Sequence, residues 1–442
     1  MAEIFPFTAY RYDLQRVRLA DVVTQPYDKI TPAMQQAYGK ASAYNLITVE
    51  KGTASPSDTP DHSVYTRAAE ALTQWISRGI LARDAAPGIY VYFQEYTVPG
   101  TTERRTRKGF IAVGRIEDYS AGVVFRHEQT LAGPKADRLE LLRHTRTHTG
   151  QLFMLYTDTE RRLDALLDET ARTPAPAEAC DEYGVVHRLW PVFDPAMIEQ
   201  VQRAMASQKL VIADGHHRYE TALAYRNERR AQSGRQDRDA PYEKVMMTFF
   251  NTRGEGLLIL PTHRVVGNLG GFDADGFLRK ISPLFDQQEY SYGSDAARGV
   301  IYGKFRSELE ARGKQSRAIG MYTQGTFYLL QPRMDADLAG ALPDASPEQR
   351  RLDVVLLHRL LLENGLGITP AAVSTERNIT YEREMDTAIA AVDECRAQVC
   401  FLLNAVGVEQ VSRMALAGEV LPQKSTDFYP KLMSGMTLYR ME

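Results

Sequence analysis

The sequence predicts an α/β (mixed α+β) fold, and the clearest sign is the stretch Leu210–Thr221. Four apolar or small residues are followed there by Asp214-Gly215 and then by a helical apolar repeat, which is typical of a strand, a tight turn and a helix. A second sign is the alternation of residues 90–98 and 106–113 around Pro99-Gly100, which indicates a β-hairpin. Strands and helices therefore share the chain.

Composition places the chain among ordinary globular proteins. It has 442 residues, 44% hydrophobic and 25% charged, with a formal net charge of −3 and three cysteines. This charge favours neither a nucleic-acid nor a membrane partner, and the scattered cysteines form no metal or redox motif. The start of the sequence lacks the features of a signal peptide, and no apolar run reaches the length of a membrane span. We expect a cytoplasmic protein acting on a small molecule, of unspecified oligomeric state.

Length and pattern together predict three segments. Helices near 274–285 and 294–312 and a hairpin at 318–330 form a smaller α+β subdomain inserted after the core. The further strands expected include residues 45–49, and residues 244–251, which we expect to pair with the strand before Asp214. The predicted segments are a catalytic core over 1–265, the small subdomain over 270–345, and a C-terminal segment over 346–442 that returns to the core.

The turn at Asp214 predicts an anion site. A helix N-terminus carries unpaired N–H groups and the positive end of the helix dipole. His216, His217 and Arg218 add positive charge at this end, which is unfavourable unless an anion or a metal completes it. The alternative is that Asp214 only caps the helix while the histidines are solvated, but the density of ionisable residues favours a functional site.

Other polar clusters would complete such a site. Phosphoryl transfer needs cations for the phosphate oxygens and a carboxylate for a metal or for the attacking hydroxyl. The sequence offers these in three further places, each of which alone is compatible with an ordinary surface or loop. They are Tyr27 and Asp28, then His127 and Glu128 with Lys135 and Arg138, and finally Lys424, Ser425 and Thr426 with Tyr429 and Lys431.

Competing signals are weaker. No Walker A sequence is present, and Gly267–Gly271 lacks the spacing of a dinucleotide-binding loop. Zinc at His216 and His217 would need a remote ligand such as His127, because adjacent histidines cannot share one helix face. His144 and His148 have i, i+4 spacing, and the arginines beside them favour a solvated helix face.

Several motifs in one order resemble the domain-of-unknown-function family 1015 nearly from end to end. They are Gln25-Pro-Tyr-Asp28, His127-Glu-Gln-Thr130, Pro134-Lys-Ala-Asp-Arg138, Ala213-Asp-Gly-His-His-Arg-Tyr219 and Pro422–Lys431. The segment Asp214–Arg218 also resembles the nucleotide-binding turn of the ParB/sulfiredoxin superfamily, in which free-serine kinases carry a similar Asp-Gly-His-x-Arg segment. This resemblance implies a ParB/sulfiredoxin-like core and a kinase of free serine or a similar hydroxyl-bearing metabolite.

The resulting hypothesis is a phosphotransferase that uses Mg²⁺ and a nucleotide or pyrophosphate donor. Two alternatives remain: a nucleotide-binding regulatory switch of ParB type, and a metal-dependent hydrolase using His127, His216 and His217. The predicted roles are as follows: Asp214, Glu128, His127 and His216 catalytic, with Asp214 also a possible Mg²⁺ ligand; Gly215, His216, His217, Arg218, Lys135, Arg138, Lys424, Ser425, Thr426 and Lys431 binding phosphate or nucleotide; Tyr27, Asp28 and Tyr429 contacting substrate.

Overall fold

The computed structural model describes residues 1–128, 133–234 and 237–442, so Gln129 and Thr130 of the predicted motif lie outside the described residues. The fold is mixed α/β, as the sequence predicts. In the described part of the chain no helix is both long enough and apolar enough to cross a bilayer.

The strands are short except for a central antiparallel pair. In chain order they are β1 (Ile4–Phe5), β2 (Tyr10–Tyr12), β3 (Leu81–Arg83), β4 (Ile89–Thr97), β5 (Arg104–Arg115), β6 (Val124–Phe125), β7 (Thr147–His148), β8 (Leu152–Tyr156), β9 (Ala177–Cys180), β10 (Val186–Val192), β11 (Leu210–Asp214), β12 (Lys244–Asn251), β13 (Leu258–Leu260), β14 (His263–Val266), β15 (Phe285–Tyr290), β16 (Ile319–Thr323), β17 (Thr326–Pro332), β18 (Ile379–Glu382), β19 (Val399–Leu403), β20 (Asp427–Tyr429) and β21 (Tyr439–Arg440).

The helices range from single turns to a long helix in the second half. They are α1 (Leu19–Val22), α2 (Pro32–Ala41), α3 (Ile47–Glu50), α4 (Val64–Ser77), α5 (Gly133–Thr145), α6 (Arg162–Thr170), α7 (Pro195–Met205), α8 (His216–Ser233), α9 (Ala274–Ile281), α10 (Asp295–Gln315), α11 (Leu338–Ala341), α12 (Asp353–Leu356), α13 (Pro370–Ser374), α14 (Met385–Asp393) and α15 (Val408–Leu416). A π-helical segment, Leu357–Gly365, continues α12, and 3₁₀ turns cover Tyr27–Lys29, Tyr119–Ala121, Pro241–Glu243 and Gln349–Arg351.

The described residues divide into two compact units, which differ from the three predicted segments. Unit 1 comprises residues 1–126, the described part of 130–258, and 428–442; unit 2 comprises 127, 128 and 259–427. Residues 270–345 and 346–427 belong to one unit because β16, which precedes residue 345, pairs with β19, which follows it, inside a single sheet. A boundary at 345 would separate strands that are hydrogen-bonded to each other.

Unit 1 is built on a sheet with the order β6-β11-β8-β12-β5-β4-β10-β9, with β1 beside β5. The predicted hairpin is confirmed, since β4 and β5 pair antiparallel. The core lies against this sheet, where Phe110 and Phe249 stack with ring centroids 5.0 Å apart. The strand β11 pairs with β6 and β8, which leaves its Asp214 end at the start of α8.

Two strand predictions in unit 1 are wrong. The strand β12 does not pair with β11, because β8 lies between them and pairs with both. Residues 47–50 form the helix α3 instead of a strand: the side-chain oxygen of Asn45 accepts the N–H of Ile47 at 2.9 Å. This bond is an Asx turn one residue before the N-cap, Leu46, and periodicity alone could not reveal it in so short a segment.

Unit 2 is built on an antiparallel sheet with the order β15-β17-β16-β19-β14-β18. The predicted hairpin is present as β16 and β17, which join at Gln324-Gly325, both with positive φ. The helix α12 and the π-helical segment that continues it form an apolar helix in this unit, with Leu356, Leu357 and Leu361 fully buried.

Candidate functional site

The turn between β11 and α8 is as tight as the sequence predicts. Gly215 has a φ of +93°, a conformation that residues with a side chain rarely adopt. A Cβ atom on Gly215 would lie 3.1 Å from both Nε and Nη2 of Arg218. A side chain at this position would therefore strain the backbone and press on the guanidinium of Arg218, which folds back over the turn and donates to the carbonyl oxygen of Gln151.

Two cations hold the Asp214 carboxylate. Its Oδ2 lies 3.5 Å from Nζ of Lys431 and 3.8 Å from Nη2 of Arg218, while its Oδ1 accepts the N–H of Gly215 at 2.9 Å. Burial alone favours the neutral acid, but Lys431 and Arg218 outweigh it and hold the pKa of Asp214 well below its ordinary value. Lys29 and His216 act in the same direction. Asp214 is therefore ionised at neutral pH.

The segment that carries Lys431 is fixed by a buried arginine. The guanidinium of Arg107, 1% exposed, donates to the carbonyl oxygens of Tyr429, at 3.1 Å, and of Pro430. Gln94 accepts from Arg107 at 3.0 Å and donates to the carbonyl oxygen of Lys431 at 2.7 Å. Burial lowers the pKa of Arg107 to about 10, so the group stays charged near neutral pH. Arg107 and Gln94 thus position the backbone from which Lys431 reaches Asp214.

On its other side, Arg218 lines a cavity of about 50 Å³ together with Arg138, Tyr27 and Glu50. Arg138 stacks on Tyr27, with its guanidinium carbon 4.4 Å from the ring centroid. The same guanidinium donates to Glu50 twice, to the carbonyl oxygen at 2.9 Å and to Oε2 at 3.2 Å. Burial raises the pKa of Tyr27 to about 12, so its hydroxyl remains protonated.

Glu50 and Arg218 meet at Gly150. A Cβ atom on Gly150 would make ordinary contacts with Nη1 of Arg218, at 3.4 Å, and with Oε1 of Glu50, at 3.5 Å, but it would lie only 2.8 Å from Oγ of Ser434. Oε1 of Glu50 also accepts the hydroxyl of Thr149 at 2.5 Å. The buried Glu50 carboxylate, 4% exposed as a residue, is therefore oriented by a hydroxyl and a guanidinium.

His148 also lines this cavity, and its predicted place on a helix is wrong. The helix α5 ends at Thr145, Arg146 has a φ of +49°, and His148 lies in β7. Burial lowers the pKa of His148 to about 4, so its ring is neutral at pH 7. His144 remains on the helix and is exposed, as expected.

The remaining predicted residues of unit 1 lie around this centre. Lys135 is paired with Glu220 on α8. Asp28 is exposed in the 3₁₀ turn beside Tyr27. Tyr429 packs edge-on against Tyr96 with ring centroids 5.4 Å apart, and its carbonyl binds Arg107. His216 is buried at the first position of α8, and the half-buried His217 follows it.

The other predicted cluster forms within unit 2. Nε2 of His127 lies 2.8 Å from the hydroxyl of Thr426, and Oε1 of Glu128 accepts the backbone N–H of Lys424 at 2.8 Å. Lys424 has a φ of +56°, and the hydroxyl of Ser425 donates to the carbonyl oxygen of Pro422 at 2.5 Å. The motifs near residues 127 and 425 thus come together, with Glu128 anchoring the turn at Lys424.

A family model described as "Protein of unknown function (DUF1015)" matches residues 4–355. The chain belongs to this family. The family description names no activity, so a function has to be inferred from the residues of the site.

The chain is also similar, at low sequence identity, to several solved structures. A conserved hypothetical protein from Pyrococcus furiosus aligns with 11% identity and a TM-score of 0.33, covering 70% of this chain and 89% of its own. A free serine kinase in complex with AMP aligns with 10% identity and a TM-score of 0.33, covering 69% and 83%. SbnI with C-terminal truncation from Staphylococcus aureus aligns with 9% identity and a TM-score of 0.34, covering 73% and 85%. No curated protein matches the chain.

Sequence reasoning missed Glu50, Gln94 and Arg107. Arg107 carries a usable signal: it lies in an alternating strand, and arginine at an inward position of such a strand indicates a buried charge with a specific partner. Glu50 follows a short apolar run and has no distinguishing neighbours. Gln94 is an ordinary strand residue in the sequence, and only its partners reveal its role.

The described residues around Asp214 do not form a protein cage for the predicted Mg²⁺. The carboxylate faces Lys431 and Arg218, and the described residues contain no group of three or more His, Cys, Asp or Glu side chains arranged to hold a metal. Mg²⁺ usually keeps several waters and binds through substrate phosphates, so it does not require such a protein cage.

Proposed function

We propose that this chain is a small-molecule phosphotransferase whose acceptor is serine or a similar hydroxyl-bearing metabolite and whose donor is a nucleotide or pyrophosphate. The observation that carries this proposal is the ionised Asp214, flanked by Lys431 and Arg218 at the start of α8. An anionic donor and a neutral hydroxyl both find partners at this one turn.

The donor phosphates would bind at the start of α8. Arg218 and Lys431 both reach the turn at Asp214, and the helix dipole adds positive potential at this end. Arg218 offers a planar donor fork that matches phosphate oxygens, while Lys431 offers a compact point charge. Both would stabilise the charge that accumulates on the transferred phosphoryl group.

The acceptor hydroxyl would be oriented by Asp214. Since its pKa is far below 7, Asp214 is a weak base but a permanent hydrogen-bond acceptor. A loose phosphoryl-transfer transition state demands positioning more than early proton removal. The acceptor oxygen forms the new P–O bond, the bridging P–O bond of the donor breaks, and the hydroxyl proton remains hydrogen-bonded to Asp214 until it leaves to solvent.

The amino-acid character of the acceptor is supported by the charged side chains beside Arg218, since the cavity itself, at about 50 Å³, is smaller than an amino acid requires. Glu50 and Arg138 pair with each other at 3.2 Å, and the ammonium and carboxylate groups of an amino acid would each replace one partner of that pair. Thr149 holds the Glu50 side chain and Tyr27 holds that of Arg138, which reduces the entropy lost when a ligand binds. The neutral His148 adds a ring without charge to the same wall.

Binding and turnover can be tested separately. Thermal shift of the full chain against ATP, ADP and pyrophosphate measures binding, and a ligand at 100 times its dissociation constant adds about 2.7 kcal/mol of stability. Turnover is measured by phosphorus NMR with each donor plus L-serine. We expect Arg218→Gln and Lys431→Gln to weaken donor binding at least about tenfold, the loss of one charge-assisted contact.

The matched control is Arg203→Gln, which removes an exposed guanidinium from α7. Equal donor affinity in all three variants would contradict the site. Donor binding without phosphoryl transfer to any hydroxyl amino acid would contradict the kinase and indicate the regulatory switch instead. Turnover with Asp214→Asn at a near-normal rate would remove that residue from the mechanism.

A further inference from the structure

Unit 2 contains a cavity of its own, lined by none of the residues around Asp214. Its volume is about 640 Å³, within the range of pockets that hold metabolites. The walls come from β14, from the segment between α10 and β16, from the 3₁₀ turn before α12, and from the start of α15. Its polar lining includes Arg264, Arg317, Arg350, Asp353, Gln410 and Ser425.

Three arginines on these walls donate to backbone carbonyl oxygens and form no salt bridge within the described residues, although Arg264 interacts at longer range with Glu128 and Arg317 with Asp353. Arg264, 1% exposed, donates to the carbonyl oxygens of Thr262 and, at 3.0 Å, of Lys424. Arg317 donates to the carbonyl oxygen of Arg350 at 3.2 Å, and Arg350 donates to that of Ala345 at 2.9 Å. Carbonyl oxygens satisfy hydrogen bonds but cancel no charge, so three guanidinium charges remain around one cavity.

The other charges of the lining do not cancel this excess. Lys314 and Arg351 are neutralised by Glu310 and Glu348, at 2.7 and 3.0 Å. Asp353 is the single acidic side chain among the lining residues that the structure describes. Burial raises the pKa of Asp353 to about 7, so about half of it is neutral at that pH. Concentrating this positive charge in a concave site is unfavourable without an anion.

We propose that this cavity is a second ligand site, which binds a small organic molecule through a phosphate group. Arg317 and Arg350 each use part of a planar donor fork on backbone carbonyls, and the remaining N–H groups match phosphate oxygens. The Ser425 hydroxyl and the Gln410 amide line the same space and offer neutral contacts to the organic part. The cavity is much larger than inorganic phosphate, so we expect the ligand to carry an organic part as well as the phosphate group.

Equilibrium dialysis of the full chain with glycerol 3-phosphate and, in parallel, citrate tests this site. We expect the double substitution Arg317→Gln/Arg350→Gln to weaken glycerol 3-phosphate binding at least about tenfold. Arg317→Lys keeps the positive charge but loses the planar donor fork, so we expect a smaller loss of glycerol 3-phosphate affinity. This single variant replaces the double variant in the test if the double variant folds poorly. The matched control is Arg306→Gln, an exposed arginine of α10 outside the cavity.

Each outcome decides the proposal. Unchanged affinity in the folded double variant, or in Arg317→Lys if the double variant is unfolded, overturns the site. Citrate binding as tightly as glycerol 3-phosphate with the same arginine dependence overturns the assignment to phosphate. Arg218→Gln, which alters unit 1 alone, should leave this affinity unchanged, so failure of the kinase proposal and failure of this one are separate results.

Discussion

The Lys431 ammonium lies 3.5 Å from the Asp214 carboxylate, and 9% of the lysine side chain is exposed. This ion pair joins the C-terminal segment of the chain to the turn that begins α8. Its partial burial makes it more sensitive to substitution than a surface pair, since solvent screens it less. Stability and ligand binding should therefore respond together at this contact.

Lys431→Gln should lower the free energy of unfolding at pH 7 by about 1–3 kcal/mol, the value of a hydrogen bond to a charged group. The folded pKa of Asp214 lies below its unfolded value of 3.8, so the stabilisation exists above about pH 4 and is lost as the pH falls. The difference in the free energy of unfolding between the wild type and Lys431→Gln should consequently be smaller at pH 3 than at pH 7. Urea unfolding at both pH values measures it, with the exposed Lys40→Gln as control. An identical deficit at both pH values would refute the pairing.

Gly215→Ala should weaken phosphate binding, because the new Cβ atom would displace the guanidinium of Arg218. Gly234 follows the same helix with a φ of +64°, and a Cβ atom added there would have no neighbour within 4 Å, so Gly234→Ala imposes backbone strain alone. Both variants should lose about 1–3 kcal/mol of stability. Calorimetric titration with pyrophosphate should separate them, and equal affinities would show that the turn does not control Arg218.

Arg107→Met should release the segment around Lys431. It leaves the carbonyl oxygens of Tyr429 and Pro430 without their donor, at a cost of about 1–3 kcal/mol for each buried unsatisfied group. Hydrogen exchange of residues 431–434 should accelerate along with the loss of thermal stability. Arg105→Met is the control, since that arginine pairs with the exposed Glu103. Unchanged exchange in Arg107→Met would mean that other contacts hold the segment.

Asp353→Asn should stabilise the protein at pH 8 and have little effect at pH 4. The folded pKa of Asp353, about 7, exceeds the unfolded value of 3.8, so wild-type stability falls as the pH rises between these values. Asparagine is neutral at every pH and keeps an oxygen to accept the N–H of Ala318. Melting temperatures at the two pH values provide the comparison, with the exposed Glu289→Gln on β15 as control. A gain that is larger at pH 4 would be the opposite of this expectation.

Local patterns were sufficient where neighbours in sequence supply the interaction. Asp214, Gly215 and Arg218 lie within one turn, so the strand, the glycine and the helix start were all predictable. The β4–β5 hairpin was predictable for the same reason. The prediction that β12 pairs with β11 was wrong because sheet order depends on which strand inserts between them, and periodicity does not encode that choice.

The sequence by itself determined the mixed α/β class, the strand, turn and helix at Asp214, and the membership of the family. Only the tertiary structure decided which cations surround Asp214, since Lys431 arrives through carbonyl bonds to Arg107 and Gln94. It also decided that Glu50 and Arg138 form one wall with Arg218. The physical reason is that backbone hydrogen bonds and buried charges between distant segments depend on how those segments pack. The hydrophobic periodicity of the sequence does not reveal that packing.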